Sequence, residues 1–208
     1  MTALALAIND RQFSWPKQLT ALFAIDSLNL PQGKTLFIGG PSGCGKSSLL
    51  KIIAGISQPK SGEIFWDNQD VNNFRDDFNG DMQFLGHKNF LKGELTVFEN
   101  LNFYAQLRGT EIAVNSALSF FDLLQVAEEK VKKLSAGWQQ KAILALLLAC
   151  PATIWLLDEP STNLDKKAKE KLHGLIKTRI NEQGLVIITT HDEIFFDLGL
   201  KLNLEDFC

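Results

Sequence analysis

The sequence predicts an α/β fold with a mainly parallel sheet and an inserted helical stretch. Three observations carry this. The apolar run "TLFIGG" ends in glycines and leads through a short loop into "KSSLLKIIAGI", where Leu49, Leu50 and Ile53 recur at helical spacing. Two later runs, "ATIWLLDEP" and "GLVIITTHD", are continuously apolar, as strands buried on both faces are. Between them lies "KKAKEKLHGLIKTRI", an amphipathic helix. Strand, helix, strand in that order implies a parallel sheet with a right-handed crossover.

The elements follow in order. The N-terminal part reads as short β runs, "LALAI", "LTALFAID" and "SLNL", closed by the turn "PQGK". The strand–loop–helix unit comes next. About residues 88 to 150 are mostly helical by pattern and form a helical subdomain inserted into the α/β core. The final helix and strands complete the sheet. There is no repeat, low-complexity tract or Pro/Gly linker.

At 208 residues the chain is long enough for one domain with an inserted subdomain and a full core. An apolar share of 45% is that of an ordinary globular protein. The net charge of -3 makes no electrostatic case for nucleic acid as a partner. The short lysine runs near Lys130 and Lys166 read as solvated helix faces. Cys44, Cys150 and Cys208 are far apart with no C-x-x-C pair, which fits a reducing compartment and argues against a disulfide framework or zinc site. The longest apolar run, Ala142 to Cys150, is about half of the roughly 18 to 20 residues that a membrane span needs. The opening "MTALALAI" lacks a basic n-region and reads as a first strand. The chain is therefore expected to be soluble by itself, yet able to dock on a membrane protein.

The strongest chemical motif is "GPSGCGKS", which fits G-x-x-x-x-G-K-[ST] between a strand and a helix. Its residues, Gly40, Pro41, Ser42, Gly43, Cys44, Gly45, Lys46 and Ser47, with Ser48 behind them, are candidates to bind nucleotide phosphates. Glycines let successive backbone N–H groups converge on phosphate oxygens, and the next helix adds its positive end. Lys46 would reach the β- and γ-phosphates, and Ser47 would coordinate Mg²⁺. In "IWLLDEP", Asp158 and Glu159 end a buried strand at the sheet edge where α/β folds bind ligands. Asp158 would hold Mg²⁺, and Glu159 would be general base toward the attacking water. A plain helix cap is the alternative for this pair. His191 follows another buried strand, within reach of a γ-phosphate, with a capping or surface histidine as the alternative.

Together these residues resemble the ATP-binding cassette (ABC) ATPases over nearly the whole chain. "GPSGCGKS" is similar to the Walker A loop, "TIWLLDE" to Walker B, "STNLD" to the D-loop, and "LSAGWQQK" to the LSGGQ signature; His191 takes the switch position. The resemblance implies a P-loop NTPase fold with an antiparallel β subdomain, and one nucleotide-binding domain over residues 1 to 208. It implies ATP and Mg²⁺ as cofactors and a head-to-tail homodimer. In such a dimer Ser135 and the Gly137 N–H would bind the γ-phosphate of the partner's nucleotide. By position, Trp15 would stack on adenine, with core packing as the alternative. His87 stands at the Q-loop glutamine position, where it would contact Mg²⁺ or lie idle in a loop. Ala136, Trp138 and Lys141 also depart from the signature pattern.

Within that family, "LGHKNFLKGELTVFENLNFYAQLRG", "LSAGWQQK" and "ACPATIWLLDEPSTNLD" resemble the haem exporter branch of the cytochrome c maturation system. That branch implies a peripheral ATPase on the cytoplasmic face of the inner membrane. Its partners would be two small integral membrane subunits (CcmB- and CcmC-like), and haem or its chaperone would be handled by the complex rather than by this chain. Apolar residues near Phe90, Leu91 and Phe98 are candidates to receive the membrane partner. A lipoprotein-release or efflux ATPase and a soluble, non-transport ABC protein are the alternatives.

Overall fold

The computed structural model describes residues 7–9, 11–13, 23–25, 29–59, 63–66, 68–87 and 90–207. Trp15 and Cys208 lie outside the described residues. The elements are β1 (Ala7–Asn9), β2 (Arg11–Phe13), β3 (Phe23–Ile25), β4 (Thr35–Gly39), α1 (Lys46–Ile53), β5 (Glu63–Trp66), β6 (Gln69–Asp70), α2 (Arg75–Gly80), β7 (Met82–Leu85), α3 (Val97–Arg108), α4 (Val114–Phe120), α5 (Ala136–Ala149), β8 (Ile154–Asp158), α6 (Lys166–Asn181), β9 (Leu185–Thr189) and β10 (Gly199–Asn203).

Five strands form one parallel sheet in the order β10-β4-β9-β8-β7. Their side chains alternate between two cores, as the strand period of two requires. Leu36, Ile38, Leu156 and Ile187 face the cluster that contains Leu49, Leu50 and Ile53 of α1. Phe37, Trp155, Leu157 and Ile188 face the cluster built from α3, α4, α5 and α6. Helices on both faces explain why these strands read as unbroken apolar runs. The expected α/β class and mainly parallel sheet are what the structure has.

The N-terminal β runs pair antiparallel, as β1-β5-β6 and β2-β3. One expectation fails here. In "SLNL", Asn29 and Leu30 are not in a strand. Leu30 is fully buried in the core beneath α1, so its apolar character serves packing, not strand pairing. The "PQGK" turn is present, with Gly33 at φ 68 donating its N–H to Gly184 O at 3.1 Å.

Between β7 and β8 the chain is helical. Thr96 opens α3 with a capping box: its Oγ1 accepts from Glu99 N at 3.1 Å, and Glu99 Oε2 accepts from Thr96 N at 2.7 Å. Gly109 ends the same helix at φ 66. Asn100, only 1% exposed, ties the segment before α3 to the helix. Its Oδ1 accepts from Lys92 N at 2.8 Å, while Nδ2 donates to Lys92 O at 3.0 Å and Thr96 O at 2.8 Å. The turn after α4 is held by α6, because Asp122 accepts from Lys171 Nζ at 2.8 Å and Lys167 Nζ at 3.0 Å. Hydrogen bonds from Lys171, then Lys167, hold the Asp122 carboxyl down at about 2. Among the described residues no helix is long and apolar enough to cross a membrane.

Two outcomes are expected. Asn100→Ala leaves the Lys92 N–H and carbonyl without their buried partners and should cost about 1–3 kcal/mol in urea denaturation. Asp122 has a lowered folded-state value, so its contribution is present above the ordinary carboxylate value of about 4 and is lost as pH falls toward about 2. The stability gap between the parent and Asp122→Asn should therefore narrow across that window, and a constant gap would contradict this.

Candidate active site

The phosphate loop owes its shape to glycines with positive φ. Gly40 lies at φ 127, Gly43 at 86 and Gly45 at 106, where side chains are strained. At Gly40 a Cβ would also come within 2.8 Å of Cys44 Sγ. Lys46 starts α1 and is 9% exposed. Its ammonium curls back to donate to Gly40 O at 2.7 Å and Pro41 O at 2.9 Å. No carboxylate pairs with it among the described residues, so its charge is directed at the loop.

Across the cleft, the register sets Asp158 beside Thr189. Asp158 is 4% exposed, and its Oδ1 accepts from Thr189 Oγ1 at 2.7 Å. The same hydroxyl accepts from Glu159 N at 2.9 Å, and Thr189 O accepts from that N–H at 3.0 Å. Glu159 is thereby held at φ 50, a conformation that a non-glycine residue adopts only when its surroundings impose it. Its Oε1 lies 3.4 Å from His191 Nε2.

These groups meet in one cleft of about 310 Å³. Ser42, Gly43, Gly45, Lys46, Ser47 and Ser48 line one side; His87, Asp158, Glu159 and His191 line the rest. Gly40, Pro41 and Cys44 belong to the loop but do not line the cleft. A cavity of about 470 Å³ shares Ser47, His87 and Asp158 with it and adds Lys51, Phe84 and Phe90. A third, of about 270 Å³, shares Phe84 and Phe90 and runs along Tyr104 and Arg108 of α3. His87 thus lines both the cleft and the second cavity, and Phe90 lines both the second cavity and the third. Leu91 is a correction. At 7% exposure in the larger core it offers no surface to a partner, whereas Phe90 and Phe98 remain half-buried.

Ser135 and Gly137 do not line this cleft. They sit at the start of α5, where Ser135 is exposed and its Oγ accepts from Trp138 N at 3.5 Å. A Cβ on Gly137 would come within 2.9 Å of Asn163 O, so glycine is needed for close approach. Gln140 Nε2 donates to Pro160 O at 2.8 Å, and Lys141 Nζ bonds Asp165 Oδ2 at 2.6 Å. Trp138 is half-buried against the larger core, with Lys141 Nζ 4.9 Å from its ring centroid. The buried part of the ring packs on the core of its own subunit. Thr189 was missed by sequence reasoning, because a threonine ending a strand carries no distinguishing pattern.

Residues 24–162 match the ABC transporter family. The chain belongs to that family. It is an ABC-type ATPase, homologous to cytochrome c biogenesis ATP-binding export proteins CcmA. It is 39% identical to the CcmA of Rickettsia bellii, covering 83% of this chain and 86% of that one. To the CcmA of Rickettsia conorii it is 40% identical, covering 85% and 90%. Among solved structures, the ATP-binding cassette MJ0796, in a dimeric post-hydrolysis state bound to ADP and Pi, superimposes with a TM-score of 0.83. That pair is 26% identical and covers 96% of this chain and 94% of the cassette.

Thr189→Val preserves the shape of this ABC site and removes the hydroxyl that joins Asp158 to Glu159. The buried Asp158 carboxylate loses its donor, with an expected cost of about 1–3 kcal/mol and slower ATP turnover. Chemical denaturation and steady-state ATPase assays measure the two effects, and a midpoint equal to the parent's would contradict the first.

Proposed function

We propose that this chain is the ATP-hydrolysing subunit of a haem exporter complex of cytochrome c maturation, working as one nucleotide-binding domain in a head-to-tail homodimer. The observation that carries the reading is the single cleft joining Lys46, Ser47, His87, Asp158, Glu159 and His191, with Ser135 and Gly137 placed outside it. A cleft that lacks its signature residues needs a second subunit to supply them.

The loop N–H groups and Lys46 bind and orient the triphosphate of ATP. Ser47 and Asp158 offer hard oxygen donors that suit Mg²⁺. The second oxygen of Asp158 accepts no bond among the described residues, which leaves it free to act. No cluster of three or more His, Cys, Asp or Glu groups that could hold a metal occurs among the described residues. An ion held by Ser47 and Asp158 would keep water and phosphate ligands, with His87 as a third candidate contact. Mg²⁺ bound there would offset phosphate charge. Glu159 takes the proton of the attacking water as a bond forms to the γ-phosphorus. The bond to the β–γ bridging oxygen breaks, giving ADP and phosphate. His191 donates to the γ-phosphate.

In the dimer, Ser135 and the Gly137 N–H face the partner's ATP, and the positive end of α5 adds to their pull. Membrane subunits of the CcmB and CcmC kind would hold the ATPase at the cytoplasmic face of the inner membrane. The grooves through His87 and Phe90 give them a route to sense the cleft. Haem or its chaperone is then the cargo of the complex.

Glu159→Gln tests this. It should bind ATP, run as a dimer on size exclusion with ATP, and turn over about 10²- to 10⁴-fold more slowly. Tagged and recovered from native membranes with ATP, it should bring down the integral membrane subunits of cytochrome c maturation. Parent-like turnover would remove Glu159 as the base. Recovery of lipoprotein-release or efflux subunits instead would overturn the haem exporter assignment.

A further inference from the structure

His191 is a poor candidate to orient itself. Its side chain is 65% exposed, and its one polar contact among the described residues is Glu159 at 3.4 Å. Its position is therefore decided by the backbone on either side, and both neighbours are held. Thr190, only 3% exposed, meets Ser161 Oγ at 3.4 Å, and its Oγ1 accepts from Asp192 N at 3.0 Å. Asp192 Oδ1 in turn accepts from Lys169 Nζ of α6 at 2.9 Å, with both side chains about a third exposed or less.

The same face of α6 grips the segment a second time. His173, four residues after Lys169 and so on one helix face, places Nε2 3.1 Å from Asp197 Oδ1. Phe195, between the two aspartates, is fully buried in the larger core. Lys167 and Lys171 of the same helix are committed elsewhere, to Asp122 below α4. Lys169 is thus the cation of α6 that reaches the residue next to His191.

We infer that Lys169 is a positioning residue for the ATPase reaction, fixing the ring of His191 through Asp192 and linking it to Ser161 of the D-loop. The inference rests on His191 touching the terminal phosphate. The state of Asp192 agrees with it. Burial raises its carboxyl, but hydrogen bonds from Ser161 and Lys169 and the nearby charges of Lys169 and His191 outweigh that and hold it below the ordinary carboxylate range. That direction favours the ionised form of Asp192, which the bond from Lys169 requires.

The test compares full-length Lys169→Met, Lys169→Arg, Lys167→Met, His191→Ala and the His191→Ala/Lys169→Met double variant in steady-state ATP hydrolysis. Methionine keeps the apolar stem and removes the charge. Lys169→Met should lower kcat about 10-fold while KM for ATP stays within about 2-fold, the pattern of lost positioning without lost binding. Lys169→Arg should recover most of the rate, and Lys167→Met, which breaks only the Asp122 contact, should keep the parent kcat. In the His191→Ala background Lys169→Met should add no further loss, because both act through one ring. A parent-like kcat in Lys169→Met, or the same fractional loss with His191 absent, would overturn the inference. A parent-like kcat in His191→Ala would overturn the role of His191 itself, and the inference with it. Loss in His191→Ala without loss in Lys169→Met would leave the role of His191 standing and remove Lys169 alone.

Discussion

The catalytic cleft hangs on the pairing of β8 with β9. That register sets Asp158 opposite Thr189, and Thr189 is paired on its other side with Ile38, one residue before the end of the strand leading into the phosphate loop. Three strand ends are thus brought level by backbone hydrogen bonds. Thr189 then spends its hydroxyl twice, as donor to Asp158 and as acceptor from Glu159. A slip of one residue would turn every side chain of β9 to the opposite core and undo its packing there. Burial on both sides of the sheet makes that slip costly, so core packing also holds the carboxylates opposite the loop.

The segment 160–165 joins two functions in one subunit. On one side it touches the start of α5, through Gly137 against Asn163, Gln140 on Pro160 and Lys141 on Asp165. On the other it follows Glu159 directly and meets the residues around His191 through Ser161. The half-site proposed for lending to a partner is therefore mechanically continuous with the groups proposed to act on the subunit's own ATP. Hydrogen-bonded loops with two discrete arrangements are the kind of element through which such coupling travels. Trp138, within the signature, packs on the core and lies under Lys141.

Helix α6 organises the rest. Its apolar side, with Leu172 and Ile176, fills the larger core, while its lysines divide between two tasks. Lys167 and Lys171 hold the turn after α4, and Lys169 holds the segment after β9. The lysine run is solvated at Lys166 and Lys167, as its sequence suggests, and Lys167, Lys169 and Lys171 also make directed contacts in the fold. Exposed ion pairs add little to stability, so the weight of these contacts lies in placement.

The sequence by itself determined the α/β class and pointed to the phosphate loop, the Asp158–Glu159 pair and His191. Each is local: a positive φ needs glycine at its own position, and a doubly buried strand is apolar at every residue. Only the tertiary structure decided what depends on distant partners. It set Thr189 between Asp158 and Glu159, joined Lys169 to Asp192, buried Leu91, packed part of Trp138 on the core, and left Asn29 and Leu30 of "SLNL" out of any strand. Those outcomes follow from register and packing between segments far apart in the chain, and no local pattern of residue types encodes which faces will meet.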